Sequence, residues 1–502
     1  MTRSRLFVTS AVAAAAALAW LYLRDAPLRA GLATDVFHHL AAVRELAKGE
    51  FPPRHNLVVE DGLPQGHYGP YLVLLGAVSR LTGASPRVVL YVAGVANLLA
   101  FVWGLALVAG RLLGDGAARW APLAGVLLWG PWPGREVSWP SWQWPGTTSL
   151  AEAQNFFYPH QAGLVLLLFL LAVLLRPEPL SPRRAALGIG LMAALVATHP
   201  LTALAMLPAL GALVATRVLG REARRAHIAF LVALPLLGLA VACLWPYYPV
   251  LGLLKAASHP GLREPVASPA AVGLTHAAAG VDASGSLPIL AVLGPTVIGV
   301  AAAAGLAWRG RPFLLLWLLA DLALAFCPLL PLRQRFVLFA VLPAQIAAMG
   351  LLEEAQRAGR VLRAVAIAVL VAGALSAGER IRWLLDQEVP DLGFVARLTP
   401  EDAIVLSDPA TSNGVAGLAG RKVVAPQHPD LFLVAAGGWQ RVLDVAAFLD
   451  PRTDSAARQA TLTRWRATHV LIDRIGGGPT LPYPVIYEGG GYVLYEVPRP
   501  SS

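Results

Sequence analysis

Two short segments combine residue types suited to group-transfer chemistry. The first, Thr34-Asp35-Val36-Phe37-His38-His39, follows an apolar run from Leu6 to Leu23. The second, Arg333-Gln334-Arg335-Phe336, opens a late apolar run. A carboxylate such as Asp35 can orient or deprotonate an attacking hydroxyl. A guanidinium binds phosphate through its bidentate fork and stabilises charge growing on a phosphate leaving group. Each residue also has a plainer reading. Asp35 precedes an amphipathic stretch and could cap a helix. Arg333 and Arg335 could be solvated at a surface or paired with an acid.

Other polar residues extend the candidate site. His38, His39, His55, His67, His160 and His199 all fall near one membrane face in the topology derived below. A divalent metal is conceivable, since imidazole is a common ligand. No pair shows the HExxH or Cys/His spacing of a zinc site, so the metal stays open. His67 and Tyr68 lie in Gly66-His67-Tyr68-Gly69-Pro70-Tyr71, which leads into apolar sequence. Glu136 and Glu152 are candidates for a second carboxylate, in the loop 129–158 that also carries Trp129, Trp132, Trp139, Trp142 and Trp144. Those indoles suit a membrane interface, or stacking on a sugar or isoprenoid. His199 precedes Pro200 at the turn between two apolar blocks. Asp321 lies inside an apolar block, where a carboxylate is expected to be protonated, paired or facing a cavity.

These residues must be carried by membrane-spanning helices. Hydrophobic residues make up 56% of the chain, charged residues 14%, and mean hydropathy is +0.60. A soluble domain of this length could not cover its surface with so few charges. The apolar blocks predict roughly eleven spans, at about 20 residues each: 6–23, 88–110, 120–132, 159–176, 185–199, 200–216, 228–247, 287–308, 312–328, 336–352 and 361–378. Pro70–Leu81 is apolar but too short to span and belongs in the interface or in a re-entrant piece. The first block reads as an uncleaved span rather than a signal peptide, because no cleavage site is followed by a soluble start.

The net charge of +10 does not indicate nucleic-acid binding, because the arginines sit in short linkers between apolar blocks. They also orient the chain. With the N-terminus inside, the cytoplasmic set runs from Arg3 and Arg5 through Arg111, Arg119, Arg176, Arg183 and Arg184 to Arg217, Arg221, Arg224, Arg225, Arg309, Arg311, Arg357, Arg360 and Arg363. The opposite short loops hold few cations, as the positive-inside rule expects. The long first external loop, 24–87, is the exception and is also acidic. The two cysteines, Cys243 and Cys327, read as buried free thiols. The use of Arg over Lys suggests a GC-rich bacterial genome, and hence a bacterial cytoplasmic (inner) membrane.

After residue 378 the composition changes. Short β-type runs occur at Ala403–Ser407, Lys422–Ala425, His469–Asp473 and Val485–Val497, the last with a glycine turn. Helical stretches near 440–449 and 454–467 separate them. The expected organisation is a transmembrane domain over 1–378, with the candidate site in the first external loop, and a soluble α/β extracytoplasmic domain over 379–502.

A carboxylate after the first span, an interfacial helix and a Tyr-x-Pro entry into apolar sequence resemble the membrane glycosyltransferases of the C-type fold. That superfamily includes oligosaccharyltransferases, protein mannosyltransferases and lipid A aminoarabinose transferases. The resemblance implies a polyprenyl-phosphate-sugar donor and a glycan, lipid or protein acceptor. It also implies the catalytic-carboxylate role for Asp35, with Arg333 and Arg335 at the donor phosphate. The chain lacks a paired Asp-Asp or Asp-Glu at that point and a Trp-Trp-Asp motif. The competing readings are a transporter or flippase of a lipid-linked substrate and a non-catalytic envelope-assembly protein. No inverted repeat supports the first.

Overall fold

The computed structural model describes residues 2–29, 31–32, 35–49, 67–128, 150–176, 180–220, 225–252, 294–327, 335–426, 438–474 and 478–498. The chain forms two compact units. One comprises Met1–Pro27, Tyr91–Trp245 and Asp282–Asp386; the other Leu28–Leu90, Pro246–Val281 and Gln387–Ser502.

The first unit is helical. It contains α1 (Thr2–Leu23), most of α5 (Pro86–Leu113), α6 (Asp115–Ala118), α7 (Ala121–Leu127), α8 (Pro159–Leu174), α9 (Pro182–Thr198), α10 (Pro200–Leu219) and α11 (Arg225–Ala242). After these come α12 (Val297–Trp308), α13 (Phe313–Phe326), α14 (Arg335–Arg357) and α15 (Arg360–Asp386). Proline starts α5, α8, α9 and α10, where its missing N–H costs no hydrogen bond. Among the described residues, α1, α5, α10, α11 and α15 are long and apolar enough to cross a membrane, and α8, α12 and α13 are shorter apolar helices. The protein is an integral membrane protein. Close packing depends on small residues: a Cβ on Gly299 would strike the Ala344 carbonyl of α14. A full span was expected at 120–132, but the helix there is α7, only seven residues long. Asp321 is fully buried in α13.

The thiol expectation holds in part. Both cysteines are free, but Cys243 is exposed and Cys327 half-buried. Cys243 follows α11 beside outward-facing Val241 and Leu244, on apolar surface that a bilayer rather than protein would cover.

The second unit joins the first-loop helices to an α/β domain. It holds α2 (Ala26–Arg29) in part, α3 (Val36–Lys48), α4 (Pro70–Thr82), α16 (Gly393–Leu398), α17 (Pro409–Gly414), a π-helical turn (Val415–Ala419), α18 (Gly438–Leu449) and α19 (Ser455–Arg464). The strands are β1 (Ile404–Leu406), β2 (Lys422–Val423), β3 (His469–Asp473), β4 (Val485–Gly489) and β5 (Tyr492–Glu496), in the order β2-β1-β3-β5-β4. β1 pairs in parallel with β2 and β3, while β5 pairs antiparallel with β3 and β4. Gly490 and Gly491, at φ 58° and 82°, supply the left-handed turn that joins β4 to β5. Side chains alternate across the sheet. Val405, Leu471 and Leu494 face α16 and the π turn, whereas Val470, Ile472 and Val493 face α18 and α19.

Helix α3 departs from the sequence reading. A one-sided apolar stripe was expected, but Val36–Val43, Glu45 and Leu46 are all buried. The extra burial comes from the C-terminal segment. A Cβ on Gly417 of the π turn would lie 2.7 Å from Phe37 Cβ, so the two backbones approach closely. Arg44 donates to the Ala416 carbonyl at 3.3 Å, and Glu45 pairs with Lys48 at 3.1 Å, so both charges are satisfied. On another face Gly76 of α4 sits directly against Leu46. Gly49, at φ 76°, ends α3 and donates its N–H to the Leu46 carbonyl.

Candidate functional site

Asp35 stands at the N-terminus of α3, and its position follows from the burial of that helix. Its backbone is helical (φ −68°, ψ −6°), it is exposed, and its side chain makes no capping hydrogen bond. Capping therefore does not occupy the carboxylate. The Asp35 carbonyl accepts the His39 N–H at 3.1 Å.

Three imidazoles gather beside it. The ring of His67 meets His38 and His39 edge-on, with centroids 5.6 and 5.3 Å apart, and all three residues are buried. Tyr68 is 1% exposed. Burial pushes the His39 pKa down to about 4, against the pull of the Asp35 charge and with help from His38. His39 is therefore neutral at pH 7 and places no cation beside Asp35. The second unit thus brings together Asp35, His38, His39, His67 and Tyr68.

His199 lies in the first unit, where Thr202, which the sequence reading had not singled out, links it to His160. It ends α9 and caps α10: the Thr202 N–H donates to its Nδ1 at 3.2 Å. Thr202 Oγ1 lies 2.8 Å from that nitrogen and 3.3 Å from His160 Nδ1. The donated N–H assigns His199 Nδ1 as an acceptor and puts its proton on Nε2. The Thr202 hydroxyl then donates to His199 and accepts from His160 Nδ1–H. This arrangement fixes His199 with an N–H donor at Nε2. A signal was present in the sequence, because His199-Pro200-Leu201-Thr202 has the spacing of a helix cap. Asp25 was also passed over. It has left-handed backbone (φ 52°) just after α1 and accepts from the Tyr91 hydroxyl at 3.1 Å.

Arg333, Glu136 and the tryptophans Trp129–Trp144 lie outside the described residues, as does His55. Arg335 is the first residue of α14, and Glu152 lies in the 3-10 helix Leu150–Phe157; only their backbone positions are described. Among the described residues no three of His, Cys, Asp or Glu are grouped to hold a metal.

No protein-family model and no curated protein matches the chain. Solved structures do. The Archaeoglobus fulgidus oligosaccharyltransferase in complex with Zn and sulfate aligns at TM-score 0.58 and 13% identity, over 88% of this chain and 64% of that one. The chain thus spans less than two thirds of that protein. The archaeal oligosaccharyltransferase AglB from the same organism, with an inhibitory peptide and a dolichol-phosphate, aligns at TM-score 0.59 and 13% identity, over 93% and 69%. ArnT from Cupriavidus metallidurans bound to undecaprenyl phosphate aligns at TM-score 0.56 and 17% identity, over 97% of both chains. The chain therefore shares the C-type fold of these solved transferase structures.

Proposed function

We propose that the protein is a glycosyltransferase that moves a sugar, hexose or pentose, from a polyprenyl-phosphate donor to an envelope glycan, lipid or protein. The reaction takes place on the external face of a bacterial inner membrane. The observation that carries this reading is the end-to-end likeness to a structure holding undecaprenyl phosphate, over 97% of both chains. Fold alone does not establish function. The local chemistry adds to it: Asp35 is exposed, is not used as a cap, and adjoins a neutral His39.

In this reading Asp35 takes the proton of the acceptor hydroxyl as its oxygen attacks the anomeric carbon. The bond from that carbon to the phosphate oxygen breaks, and the polyprenyl phosphate leaves with an added negative charge. Arg333 and Arg335 bind that phosphate and hold it more strongly as its charge grows. His38, His39, His67 and Tyr68 fix the surroundings of Asp35, and His199 is a candidate contact to the acceptor. Glu136 or Glu152 would be a second carboxylate. The positive-inside asymmetry puts 379–502 outside, with the first loop.

Undecaprenyl phosphate binding to the purified protein in nanodiscs tests the donor side. Wild type should bind it in preference to a zwitterionic phospholipid, and Arg335→Ala should weaken binding at least tenfold, roughly the value of a charge-assisted hydrogen bond. Equal binding by wild type and variant would remove Arg335 from the donor site.

A further inference from the structure

A second feature lies at one end of the helical unit. Side-chain contacts bring the last turns of α8 and α10 to the same end as the first turns of α9 and α11. Residues 176–227 carry seven arginines and only two glutamates. At this end three half-buried cationic or basic side chains from different helices converge. Arg217, in the last turn of α10, donates to the Leu174 carbonyl of α8 at 2.9 Å. Its other terminal nitrogen lies 2.7 Å from Nδ1 of His227 on α11. His227 also sits in the field of Arg184, from the first turn of α9.

Apolar surface adjoins this charge. Leu187, one turn beyond Arg184, is 52% exposed, and Val218 and Leu219, directly after Arg217, are 55% and 70% exposed. A cationic end bordered by outward-facing aliphatic side chains matches a lipid with an anionic phosphate above two acyl chains. Guanidinium groups suit the paired oxygens of a phosphodiester. Basic pockets between helix ends at a membrane surface recruit such headgroups. Arg217 fixes its geometry by bonding across helices rather than trailing into solvent.

We propose that the α8–α11 end of the helical unit binds an anionic diacyl phospholipid. Its phosphate lies at Arg184 and Arg217, and its acyl chains run along Leu187, Val218 and Leu219. The test is native mass spectrometry of the full-length protein, delipidated and titrated with dioleoylphosphatidylglycerol or, separately, dioleoylphosphatidylcholine. Wild type should retain the glycerol lipid at least fivefold more than the choline lipid. Arg183→Gln/Arg184→Gln should abolish most of that preference. Arg217→Gln also removes the bond to Leu174, so Arg217→Lys is the safer variant there and should keep the preference. Arg452→Gln, an exposed arginine of the α/β domain, controls for bulk charge and should change nothing. Equal retention of both lipids by wild type, or an equal loss in Arg452→Gln and the double variant, would overturn the proposal. The readout involves no sugar donor, so its failure leaves the proposed transferase reaction untouched, and the reverse holds.

Discussion

The buried histidine cluster gives α3 a defined response to acid. The His39 pKa falls from 6.5 to about 4 on folding, with burial the largest cause. The unfolded segment therefore binds a proton at a higher pH than the folded one. Stability from neutral His39 is fully present above pH 6.5 and is lost as pH falls toward 4. At 1.36 kcal/mol per pKa unit, the full effect is about 3 kcal/mol, of which about 2 kcal/mol is lost between pH 7 and pH 5. Local opening of α3 should then become roughly 30-fold more frequent over that interval. Hydrogen exchange of peptides covering 36–48 and 70–82, corrected for the intrinsic pH dependence of exchange, measures this directly. His39→Leu should remove most of the acid response while leaving exchange in α18 and α19 unchanged. A wild-type change of less than about threefold, well below the 2 kcal/mol effect, or a full response kept by His39→Leu, would refute this role of His39 burial.

Other outcomes follow from packing and hydrogen bonding. Gly76→Ala places a methyl group into Leu46, so the α3–α4 contact should lose about 1–3 kcal/mol, read as faster exchange in both helices. Thr202→Val keeps shape but breaks the link between His160 and His199. It should cost about 1–2 kcal/mol of thermal stability.

Much of the helical unit was legible in the sequence because lipid-facing helices satisfy their own backbone and must be apolar over a fixed length. The expected spans 159–176 and 200–216 correspond to α8 and α10, and the four β-type runs of the tail correspond to β1 through β5. The burial of α3 was not legible. It depends on Phe37 meeting Gly417 and on Arg44 meeting Ala416, contacts between residues far apart in sequence that leave no local pattern. The sequence did mark Asp35, but its two possible roles have the same local signature. Only the absent cap hydrogen bond separates them. The histidines were legible as a set, but their division into His38–His39–His67 and His160–His199 was not, because tertiary packing decides which rings meet.

The central claim is tested most directly by donor discharge. The purified protein is reconstituted in liposomes with undecaprenyl-phosphate-linked hexose, pentose or aminopentose and an envelope lipid extract as acceptor, and released undecaprenyl phosphate is quantified by mass spectrometry. Wild type should discharge at least one donor. Asp35→Asn should discharge it about 10²–10⁴-fold more slowly, the usual worth of a general base, with α3 still folded by hydrogen exchange. Discharge by Asp35→Asn at the wild-type rate, or no discharge of any donor by wild type, would contradict it.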